Sequence, residues 1–246
     1  MALRKTLTLL ASQADFTEAG ELMTFISKST VNFLKNMMWV QGYLDPKQMA
    51  GAFQMLRPYD LIWSKVINDY LEGRRKDTFD LTAWNADTTR LPYKMHSEYL
   101  ERLFLNNEFA QGRFTLEGKA VSPHDVTTPV FCVATEKDHV VPWQSAYKTH
   151  FLTGGEVTFV LTSGGHNAGI VSEPGHPDRH FYLRTQKRGQ TFLSPASWRK
   201  EASHNDGSWW PAWSQWLKSH STQLHSEPSP VTHSLGPAPG EYVFGK

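Results

Sequence analysis

The sequence predicts an α/β fold with a parallel sheet, from two apolar runs and the segment that joins them. Residues 129–134 and 157–161 have the length and composition of buried strands. Residues 143–152, between them, have the pattern of a helix that is entered through Val141-Pro142. Because parallel strands need a crossover connection, this strand–helix–strand unit indicates two parallel strands.

The other elements are predicted in chain order. Residues 6–12 are compact and apolar between polar neighbours, which predicts a buried strand. Apolar side chains then recur at helical spacing, and we expect a mostly helical block over 16–107, with helices near 22–38, 49–56, 61–71 and 93–106. A strand-like segment returns at 113–116, and a last helix is predicted to begin near Ser208, a suitable N-cap, with Pro211 in its first turn. Residues 222–246, rich in Ser, Pro and Gly, predict an irregular tail.

Composition excludes several classes of protein. The chain has 25 basic and 24 acidic residues among 246 and no basic stripe, so we expect no nucleic-acid partner. A single cysteine, Cys132, excludes an internal disulfide framework and favours a reducing compartment, so we expect a cytoplasmic protein. No apolar run approaches the length of a membrane helix, and acidic residues follow the threonine-broken N-terminal run too soon for a signal peptide.

Two side chains follow the paired strands and are the candidate catalytic residues. Asp138 comes a short turn after the first strand, and His166 follows the second in the segment Ser163-Gly164-Gly165-His166-Asn167. A histidine on such a loop can act as a general base, and an acid on the neighbouring strand end can orient it. The alternatives are a locally hydrogen-bonded histidine, a helix cap or a surface ion pair with Lys137 for Asp138, and the rival acid Glu136.

The order acid, then histidine, matches the second half of an α/β-hydrolase triad, whose chain order is nucleophile, acid, histidine. We therefore predict the C-terminal portion of an α/β-hydrolase fold with an inserted helical cap. Its partial core would comprise 1–15 and 108–221, and the cap or lid 16–107.

The nucleophile is the missing member of this triad. Cys132 lies inside a predicted strand, where a free thiol behaves as a small hydrophobe, and the sequence contains no Gly-x-Ser-x-Gly or Gly-x-Cys-x-Gly turn. A nucleophile elbow needs a strand and a crossover helix before the next strand, and only five residues precede the strand at 6–12. We therefore expect no nucleophile in this chain.

Two further groups of residues invite other interpretations. His176 and His180, with Asp178 between them, could suggest a metal site, but Pro174 and Pro177 make a regular helix unfavourable and no further ligand cluster supports it. We expect no metal and no cofactor. Trp209, Trp213 and Trp216 recur at helical spacing, which favours packing over a wall for substrate.

At these residues the chain resembles the poly(3-hydroxyalkanoate) synthase family, the bacterial polyester synthases. The resemblance includes Trp84-Asn85-Ala86-Asp87 and Thr135-Glu136-Lys137-Asp138-His139 and covers nearly the whole chain. The matching stretches are 9–16, 42–44, 84–92, 95–100, 135–143, 161–175, 207–213 and 238–243.

The resemblance implies an acyltransferase that takes 3-hydroxyacyl groups from coenzyme A thioesters and extends a polyester, with coenzyme A released. It assigns the catalytic acid to Asp138, the catalytic histidine to His166 and a secondary role to Asp87. It also implies a cytoplasmic location at the polymer granule and a homodimer or a complementary synthase chain as partner. The family's cysteine box is missing here, so we expect a fragment that is inactive alone. The alternatives are an esterase or depolymerase of the same fold, and a non-catalytic subunit that binds a synthase chain or the granule.

Overall fold

The computed structural model describes residues 6–74, 80, 84, 89–221 and 236. The first half of the chain is mainly helical after an initial strand. Its elements are β1 (Leu7–Leu10), a 3-10 helix (Glu21–Phe25), α1 (Lys28–Gln41), β2 (Tyr43–Leu44), α2 (Pro46–Leu56), a π-helix (Tyr59–Trp63), α3 (Ser64–Val66), a second π-helix (Ile67–Leu71), β3 (Leu91–Pro92), α4 (Tyr93–Glu98) and a third π-helix (Tyr99–Leu105).

The second half alternates strands with short helices. Its elements are β4 (Phe114–Leu116), β5 (Lys119–Val121), a 3-10 helix (Pro123–Asp125), β6 (Val130–Thr135), α5 (Trp143–Tyr147), α6 (Thr149–Leu152), β7 (Val157–Thr162), β8 (His180–Gln186), α7 (Pro195–Glu201), β9 (Ser203–Asp206) and α8 (Trp210–Ser219).

A five-stranded sheet organises the fold in the order β1-β6-β7-β8-β9. β1, β6 and β7 are parallel, with Leu9 beside Cys132 and Cys132 beside Phe159. β8 runs antiparallel to both of its neighbours. The structure is therefore mixed α/β with a mainly parallel sheet, as the sequence predicts at this level.

The central strands of the sheet are buried on both faces. Every residue of β6 and β7 is buried, which is typical of central strands covered on two sides. One face carries Phe159, Tyr147 and Trp198, and the other carries Phe131 and Trp209. A separate apolar cluster joins the start of the helical block to its end through Phe16, Ala19, Val31, Leu100 and Phe104.

Local signals at the helix ends explain where several helices begin. Ser27 caps α1, its side chain accepting from the Thr30 amide, and Gly42 ends that helix in the left-handed conformation. Asp45 and Gln48 form a capping box on α2. Ser208, the predicted cap of α8, lies one residue before the N-cap, and its Oγ accepts from the Trp210 amide.

β8, α7 and β9 are not predicted from the sequence. The histidines at 176 and 180 suggest at most a metal site there, whereas His180 begins a strand. The strand predicted at 113–116 exists, but β4 pairs only with β5 in a separate hairpin. Asp87 lies outside the described residues, as does the predicted tail apart from Gly236. Within the described ranges, no helix has both the length and the apolarity to cross a membrane.

Candidate active site

Asp138 stands in the turn that follows β6, and both of its carboxylate oxygens are engaged. Oδ1 accepts from the backbone amides of Val140 and Val141 at 2.9 and 2.8 Å. This is the local bonding by which an aspartate shapes its own turn. The side chain is fully buried, and Oδ2 is directed away from the turn, toward His166.

His166 lies on the loop after β7 and meets Asp138 directly. Its Nδ1 is 2.8 Å from Asp138 Oδ2, and its side chain is 32% exposed. Because an ionised carboxylate only accepts hydrogen bonds, Nδ1 carries a proton and Nε2 is the acceptor of the neutral ring. This is the tautomer that a histidine needs to remove a proton through Nε2.

Glycines hold the histidine loop against the acid loop. Gly164 adopts φ +103° and its carbonyl accepts from the Lys137 amide at 3.0 Å, which joins the two loops. A Cβ at Gly169 would lie 2.6 Å from Thr135 Cγ2, so only glycine allows this approach of the loop to the sheet. The indole N–H of Trp209 donates to the Gly169 carbonyl at 3.1 Å and fixes the far end of the loop.

An apolar cavity of about 580 Å³ opens beside His166. This volume lies within the roughly 300–1,000 Å³ of small-molecule sites. The walls come from the segment after β1, from the helical block and from the Asp138 turn. The apolar side chains that line them include Phe16, Phe53, Leu100 and Val141. His166 thus borders a half-open, mainly apolar space that suits an aliphatic ligand.

A polar recess lies on the other side of the Asp138 turn, where the helical block contacts the site. The Glu21 amide donates to the His139 carbonyl at 3.1 Å. The Glu21 carboxylate receives two hydrogen bonds from Arg57, at 2.9 and 2.6 Å, and these lower the pKa of Glu21. Lys137 lines the same recess, so its rim is rich in charge.

The surroundings of Cys132 are unlike those of a nucleophilic cysteine. It is completely buried in β6, and burial raises the pKa of its thiol to about 12. Its Sγ has Thr149 Oγ1 at 3.9 Å as its polar neighbour. A thiol in this state does not ionise near neutral pH, so Cys132 cannot serve as the attacking group.

The other sequence candidates lie apart from the pair. Glu136, the rival acid, bonds to Arg199 at 2.5 Å and to His180 Nε2 at 3.3 Å instead of to His166. His176 Nδ1 lies 2.9 Å from the Pro177 carbonyl, so His176 and His180 face different partners. Across the part of the chain that the structure describes, no three His, Cys, Asp or Glu side chains converge as a metal site requires.

The sequence predicts no individual role for two residues that line the cavity. His96, on α4, is 6% exposed and lines the same cavity as His166. Gln13, in the segment after β1, also lines it. Both lie in stretches of the family resemblance, 9–16 and 95–100, which assign them no chemical role, and only the folded structure brings residues 13, 96 and 166 around one space.

The fold and the site define an α/β protein with an Asp–His pair at the carboxyl ends of adjacent parallel strands. No protein-family model matches the chain. Curated relatives do. A poly(3-hydroxyalkanoate) polymerase of Methylorubrum extorquens is 41% identical over 244 residues, which cover 97% of this chain and 40% of that protein. The polymerase subunit PhaC of Rhizobium etli is 37% identical over 98% of this chain and 38% of that protein.

More distant relatives extend the same match. The polymerase subunit PhaC of Cupriavidus necator is 31% identical over 98% of this chain and 42% of that protein. By sequence, the chain belongs to the poly(3-hydroxyalkanoate) polymerase family. It spans about 40% of the length of these relatives.

Proposed function

We propose that this chain carries the acid–base part of an acyltransferase centre that polymerises 3-hydroxyacyl groups from coenzyme A thioesters. In this proposal the sheet and its flanking helices are part of an α/β-hydrolase core, and residues 16–107 are its cap. Family membership supports the reaction class, and the cavity between the helical block and His166 supports the role of a cap.

The observation that carries the proposal is the 2.8 Å hydrogen bond between His166 Nδ1 and Asp138 Oδ2. It selects the tautomer whose Nε2 is basic, and the buried carboxylate stabilises the ring after it has accepted a proton. Asp138 itself is held by two backbone amides, so its orientation does not depend on the histidine.

The chemistry follows from this tautomer. His166 Nε2 takes the proton of a thiol nucleophile, the thiolate attacks the carbonyl carbon of the thioester, and coenzyme A leaves with a proton from His166. His166 then takes the proton of a hydroxyl group on a second acyl unit. The oxygen of that unit attacks the enzyme-bound acyl group, an ester forms and the cysteine thiol is regenerated.

The thiol in this scheme is a cysteine of the polymerase outside these 246 residues. The burial of Cys132 supports this, as does the length of the relatives, of which the chain matches about 40%. The centre works on coenzyme A thioesters and a growing polyester, in the cytoplasm at the granule surface. A homodimer or a complementary synthase chain supplies further contacts.

Reconstitution tests the proposal. The chain is mixed with a polypeptide that carries a Gly-x-Cys-x-Gly segment from a related polymerase, and coenzyme A release from 3-hydroxybutyryl-coenzyme A is followed by thiol detection. We expect turnover only in the mixture. The substitution His166→Gln should lower the rate by a factor of about 10² to 10⁴, the usual contribution of a general base.

The control is His176→Gln, a half-buried histidine outside the pair, which should leave the rate unchanged. Equal rates for His166→Gln and the unchanged chain would refute the role of the pair. Free 3-hydroxybutyrate as the sole product would refute acyl transfer to a hydroxyl group, because it indicates hydrolysis.

A further inference from the structure

The two ends of the helical block are hydrogen-bonded to each other at a junction formed by Asp15, Phe16 and Asn107. The side-chain oxygen of Asn107 accepts from the Phe16 amide at 3.0 Å, and the side-chain nitrogen donates to Asp15 Oδ1 at 2.9 Å. These partners are 91 and 92 residues away in the sequence. One buried asparagine side chain thus joins the point where the chain enters the block to the point where it leaves.

The backbone of Asn107 is also adapted to this place. Its φ is +47°, in the left-handed region that most side chains disfavour and that asparagine tolerates. The side-chain amide can donate and accept at the same time, as both bonds of the junction require. Asparagine therefore suits this position through its backbone and through its side chain.

The core of the protein binds the same junction. Ser145 Oγ, on α5, donates to the Asp15 carbonyl at 3.1 Å, and Lys148 Nζ lies 3.4 Å from Asp15 Oδ2. Lys148 Nζ also lies 3.0 Å from Glu18 Oε2. Because α5 follows the Asp138 turn in the chain, the junction is attached to the same part of the core as the acid of the candidate site.

The residue whose amide is held at the junction forms part of the cavity wall. Phe16 is 4% exposed, and its ring centroid lies 4.7 Å from that of Phe104 and 6.0 Å from that of Tyr99. All three rings line the cavity beside His166. A displacement of the Phe16 backbone would therefore move this wall relative to His166.

We propose that Asp15 and Asn107 are positioning residues that hold the helical block in place beside His166 and so keep the cavity formed. Their hydrogen bonds oppose separation of the block from the sheet. The inference rests on the proposed function only for the identity of the ligand, a 3-hydroxyacyl group, because the positioning itself is a property of this chain.

Chemical modification of two buried histidines tests the proposal. His96 lies on α4 within the block, is 6% exposed and lines the cavity, whereas His150 lies on α6, is 8% exposed and packs against Phe159 of the sheet. Burial lowers the pKa of both rings, so both are neutral at neutral pH and react with diethyl pyrocarbonate when they are exposed to it. Mass spectrometry of the peptides gives the two rates separately. The His96 rate reports separation of the block, and the His150 rate reports unfolding of the core.

Three variants of the junction give distinct expectations. Asn107→Gly removes both side-chain bonds but keeps the left-handed backbone free of strain, and Asp15→Leu removes the acceptor of one bond. Each should raise the His96 rate by about tenfold, the effect of one hydrogen bond of ordinary strength on a local opening equilibrium, and leave the His150 rate unchanged. Asp15→Asn keeps an oxygen that can accept from Asn107, so its His96 rate should stay close to that of the unchanged chain.

A matched control removes a hydrogen bond outside the junction. Thr185→Val deletes the 2.9 Å bond between the Thr158 and Thr185 hydroxyl groups, which joins β7 to β8. This variant should leave the His96 rate unaltered. A rise as large as that in Asn107→Gly would show that any lost bond opens the block, which overturns the proposal.

Three other results would also overturn it. The first is an unaltered His96 rate in Asn107→Gly and Asp15→Leu. The second is an equal rise at His96 and His150, because it indicates general unfolding instead of separation of the block. The third is an equal rise in Asp15→Asn and Asp15→Leu, because it shows that the hydrogen bond to Asn107 is not what holds the block.

This measurement needs neither the thiol nor the thioester of the proposed reaction. If the junction variants behave as expected and reconstitution yields no acyl transfer, only the proposed function fails. Conversely, acyl transfer by a reconstituted polymerase whose His96 rate ignores both substitutions retains the proposed function and refutes this inference.

Discussion

Replacement of His150 by phenylalanine is expected to make the protein less sensitive to acid. His150 lies in α6, is 8% exposed and packs against Tyr147 and Phe159, with ring centroids 4.4 and 5.6 Å away. Both ring nitrogens are buried without a partner among the described residues. Burial, and to a lesser extent the charge of Arg184, lowers the pKa of His150 to about 4.

The size and sign of the effect follow from this pKa. Well above pH 6.5 the ring is neutral in the folded and unfolded states, so it causes no pH dependence. As the pH falls through 6.5 toward 4, the unfolded chain binds a proton that the folded protein does not bind, and the free energy of unfolding decreases. The loss is about 2 kcal/mol at pH 5 and about 3 kcal/mol below pH 4, since one pKa unit corresponds to about 1.4 kcal/mol.

Urea unfolding, followed by tryptophan fluorescence between pH 7.5 and 5, measures this loss. The window lies above the range in which the carboxylates with lowered pKa, such as Glu108, add their own acid sensitivity. His96, whose pKa burial also lowers, titrates in the same direction. The His150→Phe variant should therefore lose about 2 kcal/mol less than the unchanged chain across the window and keep the smaller part due to His96.

The reasoning about His150 is wrong if His150→Phe loses stability with acid as steeply as the unchanged chain. His124→Phe is the control, because His124 is an exposed residue whose removal should leave the slope unaltered.

Three further predictions concern the Asp138–His166 loops. Asp138→Asn keeps an acceptor for the turn but replaces the carboxylate oxygen beside His166 Nδ1 with an amide group. The variant should lower the free energy of unfolding by about 1–3 kcal/mol and shift the imidazole nitrogen resonances in NMR spectra. Unchanged resonances would contradict the assigned tautomer. Gly169→Ala should lower the free energy of unfolding, measured by thermal unfolding, by about 1–3 kcal/mol because the added Cβ clashes with the sheet. Gly165→Ala should be nearly neutral, because its added Cβ would have its nearest contact at 3.8 Å. Equal effects of the two substitutions would refute the close approach of Gly169 to the sheet. Trp209→Phe should destabilise by about 1–3 kcal/mol through the lost indole bond and volume, and faster hydrogen exchange of the 163–169 amides should accompany it; unaltered exchange would show that the indole does not hold the loop.

The central unit of the fold was predictable because its signals are strong. β6 and β7 read as continuous apolar runs, since both faces of each strand are buried, and the intervening helix requires them to be parallel. With both strands placed, the residues after them must share one edge of the sheet. This is why Asp138 and His166 could be paired from sequence, although their distance and tautomer needed the structure.

β8 and β9 lack such signals, in contrast to β1 at the opposite edge of the sheet. β8 contains Arg184 and other polar residues and is mostly half-buried, and β9 consists of Ser203-His204-Asn205-Asp206 without an apolar side chain. Strands of this kind are held by backbone pairing with a neighbour, which leaves little trace in the sequence. α7 did carry a readable signal, because Ser194 and Pro195 form a regular N-cap and first helical position.

The cavity was beyond prediction for a different reason. Its walls combine positions separated by most of the chain, and no periodicity connects Gln13 with His96 or His166. Which distant residues line one space is a property of the folded packing, so the cavity could be recognised only in the structure.

The long-range hydrogen bonds that hold the β1 segment have a consequence for the order of folding. The Asp138–His166 bond spans 28 residues, whereas the bonds that hold the β1 segment span 130 residues from Ser145 to Asp15 and 205 from Trp213 to Thr8. Because closing a longer loop costs more entropy, contacts of short range form first. We therefore expect β6, α5, α6 and β7 to assemble early and β1 to join the sheet late. In this order Asp138 and His166 are in place before the chain segment after β1 completes the cavity wall beside them.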